Sequence, residues 1–137
     1  MPVPKAKLVS RRASSGRFSA EVLATLRDGK TLQIRAGSGA HRFIGIWVVV
    51  VDGRAFVRSW SLKPRSWWRT FQLDARGAIR VTGRSIAVGA VRTRSERLKK
   101  AVDRAYLAKY GTGGSRRYAL DLARPRSKAT TTELVPL

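Results

Sequence analysis

The chain is 137 residues long, the size of one domain, and carries 29 Lys and Arg against 8 Asp and Glu, a net charge of +21. It has no cysteine and one histidine, which excludes disulfides, zinc–thiolate centres and cysteine nucleophiles and leaves a serine–histidine triad or histidine metal cluster a single ring to build on. No apolar run approaches the ~18 residues of a membrane span, while an apolar fraction of 43% suffices for a folded core.

Residues 1–16 are basic, rich in Ser and Pro and free of acids, the composition of a flexible arm. They lack the apolar stretch of a secretory signal, so a cytoplasmic protein is expected. Residues 17–137 read as one domain. Ser19 is placed to cap a short helix over 20–26, with Glu21 near its positive end. Asp28-Gly29 signals a turn, and 31–35 alternates as a half-buried strand does. Residues 44–51 are apolar on both faces, which suits a central strand covered on both sides. Asp52-Gly53 is a strong hairpin signal, with 55–60 as the returning strand. Ser66 is placed to cap a short helix over 67–73. Two strands, 78–81 and 85–91, follow around a tight Thr82-Gly83 turn. Ser95 and Glu96 open one long helix, with Leu98, Val102 and Ala105 at helical spacing and Gly111 at its end. The tail over 130–135 reads as a last, edge strand before Pro136. This order describes a small antiparallel barrel of five or six strands, mostly β or α+β, with one long C-terminal helix and short helices appended.

The densest chemical feature is the stretch from Arg58 to Arg69, which holds three tryptophans, three arginines, a lysine and three serines within twelve residues. It runs from a strand end into a helix start, where free N–H groups and the helix dipole favour an anion and Lys63, Arg65 and Arg69 add fixed charge. Trp60, Trp67 and Trp68 offer flat apolar faces, so a ligand with one phosphate and one aromatic ring system fits the pattern. The same residues suit a simpler arrangement in which two tryptophans plug the barrel end and the cations stay solvated. His41 follows the Gly37-Ser38-Gly39 loop and reads as a loop residue, with a proton donor on a lid as the alternative. That loop lacks Walker or dinucleotide spacing. No two carboxylates form an evident acid–base pair, and Tyr106 and Tyr110 share one helix face as packing residues. The charge makes non-specific polyanion binding expected. It is spread almost evenly along the chain, without a basic helix face or an RNA-binding aromatic motif, so solvated charge is favoured over a dedicated nucleic-acid site.

The strings IGIWVVVVDGRAFVRSWSLKPRSWWRTF, AVDRAYLAKYG and ATTTELVPL resemble the bacterial family catalogued as domain of unknown function 2255, in order along 18–137. The family's hairpin and following turn are in turn similar to the flavin-binding split-barrel superfamily, most nearly to the deazaflavin-dependent nitroreductases. The resemblance implies a six-stranded split β-barrel, a homodimer with any ligand at the subunit interface, and flavin mononucleotide (FMN) or a deazaflavin as cofactor. Carried over by position, the cofactor-phosphate turn falls on Ser59, Lys63, Trp67, Trp68 and Arg69, with Arg65 added by its charge. One position departs: where the nitroreductase pattern continues with Asn near the helix end, Arg69-Thr70-Phe71-Gln72 stands here. The functions this leaves are a flavin or deazaflavin protein with reductase chemistry, a nucleic-acid-associated basic protein, and a cofactor-less split barrel serving as a binding scaffold.

Overall fold

The structure, a computed structural model, describes residues 17–137; the expected basic arm over 1–16 lies outside the described residues. Helix α1 (Ala20–Asp28) is capped by Ser19, whose hydroxyl accepts from the Val22 N–H, and it leads into β1 (Leu32–Ala36). Strands β2 (Ile44–Ile46), β3 (Val49–Val51) and β4 (Arg54–Val57) follow, then α2 (Trp67–Leu73), β5 (Arg76–Val81) and β6 (Arg84–Arg92). The chain closes with α3 (Glu96–Tyr110), a 3₁₀ turn, α4 (Arg116–Asp121), α5 (Pro125–Lys128) and β7 (Thr132–Pro136). Among the described residues all seven strands form one antiparallel sheet in the order β2-β1-β5-β6-β7-β4-β3.

Both expected tight turns form where local chemistry dictates them. Asp52 and Gly53 have φ of 53° and 69°, and Thr82 and Gly83 have 47° and 79°, the left-handed pairs that match the twist of a two-residue hairpin. Three serines cap helices as expected, Ser66 accepting from Arg69 N–H and Ser95 from Leu98 N–H.

The stretch 44–51 is not one central strand. It divides into β2 and β3, which occupy opposite edges of the sheet. The cause lies in α3. Tyr110 Oη meets both the N–H and the carbonyl of Val48 (3.3 Å each), Lys109 Nζ donates to that same carbonyl (2.8 Å), and Trp47 stacks on the Tyr110 ring at 3.9 Å. Side chains of a helix thus take the backbone groups that a neighbouring strand would have paired. Because Ile46 and Val49 are three peptide units apart, the two sheet edges lie within about 11 Å of each other along the chain, and the sheet has to curl into a half-barrel. The division also raises the strand number to seven, against the five or six expected.

Three further expectations are corrected. The tail strand is not at an edge: β7 sits between β6 and β4, since only its last residue, Pro136, lacks an N–H. The returning strand β4 ends at Val57 rather than at residue 60, because Arg58 turns into a buried network and the Ser59 N–H donates to Thr130 Oγ1 (2.8 Å). The longest helix, α3, is not C-terminal; Gly111 ends it, and the Ser115 hydroxyl donates to the Tyr110 carbonyl as the chain turns into α4 and α5.

Two apolar clusters follow from strand alternation. Ala55, Val57 and Leu134 point into the half-barrel, where Val22 and Leu26 of α1 and Phe71 of α2 fill its mouth. Val49 and Phe56 point outward and are covered by Leu98, Val102, Tyr106 and Tyr110, one residue per turn of α3, with Ala119 and Leu122 completing the layer.

Candidate functional site: the cleft beside the tryptophan turn

The residues singled out between β4 and α2 do not all meet. Ser59 is buried, and its hydroxyl donates to the Ser61 carbonyl (2.7 Å), so it shapes the turn from inside. Arg69 donates from Nε to the Leu62 carbonyl (2.9 Å), and its guanidinium lies over the Trp68 ring at 5.2 Å, which fixes the turn against the helix. Lys63 is exposed and lines a cleft with Trp60, Leu62 and Arg126. Arg65 and Trp67 line a different cleft, of about 520 Å³.

That larger cleft is built from two walls and a floor. Ile34 and Ala36 of β1 and Ile44 of β2 form the apolar floor. One wall is the loop between these strands, carrying His41 and Arg42; the other is Pro64, Arg65, Trp67 and Thr70 of the turn and α2. Trp67 is held edge-on to Phe71 with centroids 6.0 Å apart, so its ring is fixed by the core. No carboxylate lines the cleft. Neither Arg42 nor Arg65 has an ion pair among the described residues. Two unneutralised guanidiniums, an imidazole and the Thr70 hydroxyl therefore border a cleft with an apolar floor, within the usual range of roughly 300–1,000 Å³ for small-molecule sites.

Asp74 joins the two walls. Its Oδ2 accepts from the Ser38 N–H (2.9 Å) and its Oδ1 from the Arg76 N–H (3.2 Å). The glycine loop thus donates one backbone N–H to an anion, and that anion is a side chain of the protein itself. Gly37, at φ 81°, supplies the left-handed turn, and a Cβ there would meet Thr70 at 3.0 Å. Sequence reasoning found Arg65, Trp67 and, as a loop residue, His41. It missed Arg42, Thr70 and the clasp at Asp74, for which the only signal was the Gly-Ser-Gly string.

Among the described residues no group of three or more His, Asp or Glu is arranged to hold a metal ion, and no helix is long and apolar enough to cross a membrane.

Fold and cleft together define a basic α+β protein in which a curled antiparallel sheet and one short helix enclose a cationic pocket. The chain belongs to the family described as uncharacterized protein conserved in bacteria (DUF2255), whose model matches residues 22–134. Among solved structures it is similar to the conserved hypothetical protein Rv2991 from Mycobacterium tuberculosis, with a TM-score of 0.52 and 14% identity over 92% of this chain and 83% of that one. At that identity the likeness concerns the fold alone. No curated protein matches the sequence.

Proposed function

We propose that this is a split-barrel protein that binds a phosphate-bearing flavin or deazaflavin, with reductase chemistry on the bound ring. The observation that carries the reading is the meeting of Arg42 and Arg65, both without a carboxylate partner among the described residues, with the apolar surfaces of Trp67, Ile44 and Ile34 in one cleft. A phosphate would be held by the guanidinium forks, and a flat ring system would lie against the indole and the floor of β1 and β2. Lys63, Trp68 and Arg69 frame the turn rather than line this pocket, so the anion-holding role falls to Arg65 with Arg42. The chain's own part is to bind and orient; the redox chemistry would be the cofactor's. A second copy of the chain is the expected lid, because Ile44, 43% exposed on the edge strand β2, leaves the floor of the cleft unfinished.

Calorimetric titration with FMN and with a deazaflavin tests the reading. Each charge-assisted bond to phosphate contributes about 1.5–3 kcal/mol, so Arg65→Ala and Arg42→Ala should each weaken binding by roughly tenfold or more. Both side chains are exposed, and the melting temperature should stay within a degree or two. Absence of heat with either cofactor at millimolar concentration rejects the proposal and leaves the cofactor-less scaffold.

A further inference from the structure

Trp60 stands apart from the cofactor cleft and has no part in it. It is 46% exposed, a large indole in water, yet its ring is not loose. It leans on Trp47 with centroids 5.8 Å apart and meets Tyr118 edge-on at 5.4 Å, and Trp47 is itself stacked on Tyr110 at 3.9 Å. An aromatic ladder anchored in α3 thus presents one rigid indole to solvent.

Two clefts border that ring. One, of about 410 Å³, is lined by Trp60 with Asp121, Arg124, Arg126 and Ser127. The other, of about 440 Å³, is lined by Trp60 with Ser61, Leu62, Lys63 and Arg126. Trp60 and Arg126 border both, so the two clefts adjoin at the indole. Asp121 neutralises Arg124 through a 3.3 Å ion pair, whereas Lys63 and Arg126 have no ion pair among the described residues. The arrangement is an exposed indole bordered by two cations without ion pairs among the described residues, Arg126 in both clefts and Lys63 in one.

We propose that Trp60, with Lys63 and Arg126, is a stacking site for single-stranded nucleic acid. An unpaired strand presents the complementary pattern, a base plane flanked by a phosphodiester on each side. In a duplex the base faces are covered by their neighbours, and a base-free polyanion has nothing to set on an indole. The charge alone explains attraction to any polyanion; the exposed indole of Trp60 beside Lys63 and Arg126 explains a preference for one with exposed rings. Sequence preference is not expected, because every base offers a π face.

The test uses the full chain and measures anisotropy of a short labelled oligothymidylate, with inorganic polyphosphate as the base-free probe. Stacking on one ring accounts for about 1–3 kcal/mol per base, so Trp60→Ala should weaken oligothymidylate binding by roughly fivefold to a hundredfold and leave polyphosphate binding unchanged. Trp60→Phe should restore most of the loss. Arg126→Ala, an exposed side chain without an ion pair, should lower the slope of log affinity against log salt by about 0.7. Equal binding by wild type and Trp60→Ala overturns the proposal, as does an equal loss of oligothymidylate and polyphosphate binding. If Trp60→Ala fails to fold, Arg126→Ala decides, and an unchanged salt slope for oligothymidylate then overturns the site.

Discussion

Arg58 shows how far a residue's role can lie from its composition. Within the cation-rich stretch it looks like another solvated or phosphate-seeking charge, but its side chain is fully buried. Nε donates to Thr131 Oγ1 (2.8 Å), Nη1 to Asp103 and to the Leu122 carbonyl (2.9 Å), and Nη2 to the Lys99 carbonyl (2.9 Å). Asp103 also accepts from Lys128 Nζ (2.8 Å), so one guanidinium ties the end of β4 to α3, to the end of α4 and to the approach to β7. Arg58→Met should lower stability by about 1–3 kcal/mol, because it leaves two carbonyls and the Thr131 hydroxyl without their donor and Asp103 with Lys128 alone. Arg58→Lys should recover only part of this, since one ammonium cannot reproduce a four-way fork; urea unfolding of the three proteins measures both. A second residue-scale expectation concerns pH. Burial lowers the Lys109 amine to about 8, with Asp28 partly opposing, while burial raises the hydroxyls of Tyr106 and Tyr110 above the usual phenol value. Between pH 8 and about 10.5 the unfolded chain holds the Lys109 proton more tightly than the folded one, so stability rises with pH there. Above about 10 the unfolded tyrosines release protons that the folded ones keep, and stability falls. Urea midpoints across this range should pass through a maximum near pH 9–10; a decline from pH 8 onward would contradict the Lys109 assignment.

At the scale of elements, what was legible in the sequence is what neighbouring residues decide among themselves. The Asp52-Gly53 and Thr82-Gly83 turns and the caps at Ser19, Ser66 and Ser95 are set by local backbone chemistry, and each stands where its residues put it. The stretch 44–51 failed for the opposite reason. Four successive valines carry no period, and the groups that divide the stretch, Lys109 and Tyr110, lie about sixty residues away in sequence. The central place of β7 was hidden likewise, because its partners β4 and β6 are chosen by the curl of the sheet. In the candidate site, Arg65 and Trp67 were legible from the cation and aromatic density of one stretch; Arg42 and Thr70 reach the same cleft only through the β1–β5 pairing and the packing of α2. That packing turns on Gly77. A Cβ there would lie 2.4 Å from the Arg35 carbonyl and 3.0 Å from the Phe71 ring. The carbonyl belongs to paired strand backbone and cannot retreat cheaply. Gly77→Ala should therefore cost about 1–3 kcal/mol in urea unfolding and displace α2 from β1, which would also loosen the proposed cofactor binding. Gly83→Ala makes no such contact, and its smaller cost should come from its φ of 79° alone.

For the whole molecule, the charge of +21 sets opposite salt dependences for its two expected kinds of association. Binding a strand releases counterions, so log affinity should fall linearly as log salt rises. Pairing two copies of this chain brings like charges together, and that repulsion is screened as the Debye length falls from about 10 Å at 0.1 M salt to about 3 Å at 1 M. An apolar contact around Ile44 is nearly indifferent to screening, so the dimer should tighten with salt over the range in which oligothymidylate binding weakens. Sedimentation equilibrium at low and high salt, beside anisotropy at the same concentrations, measures both slopes. A dimer that loosens with salt would mean that ion pairs between copies hold it, and the apolar contact at the cleft floor would be wrong. A chain that stays monomeric at every salt concentration removes the dimer from the proposed function. The stacking site at Trp60 would survive that result, because its indole and both flanking clefts are built within one chain.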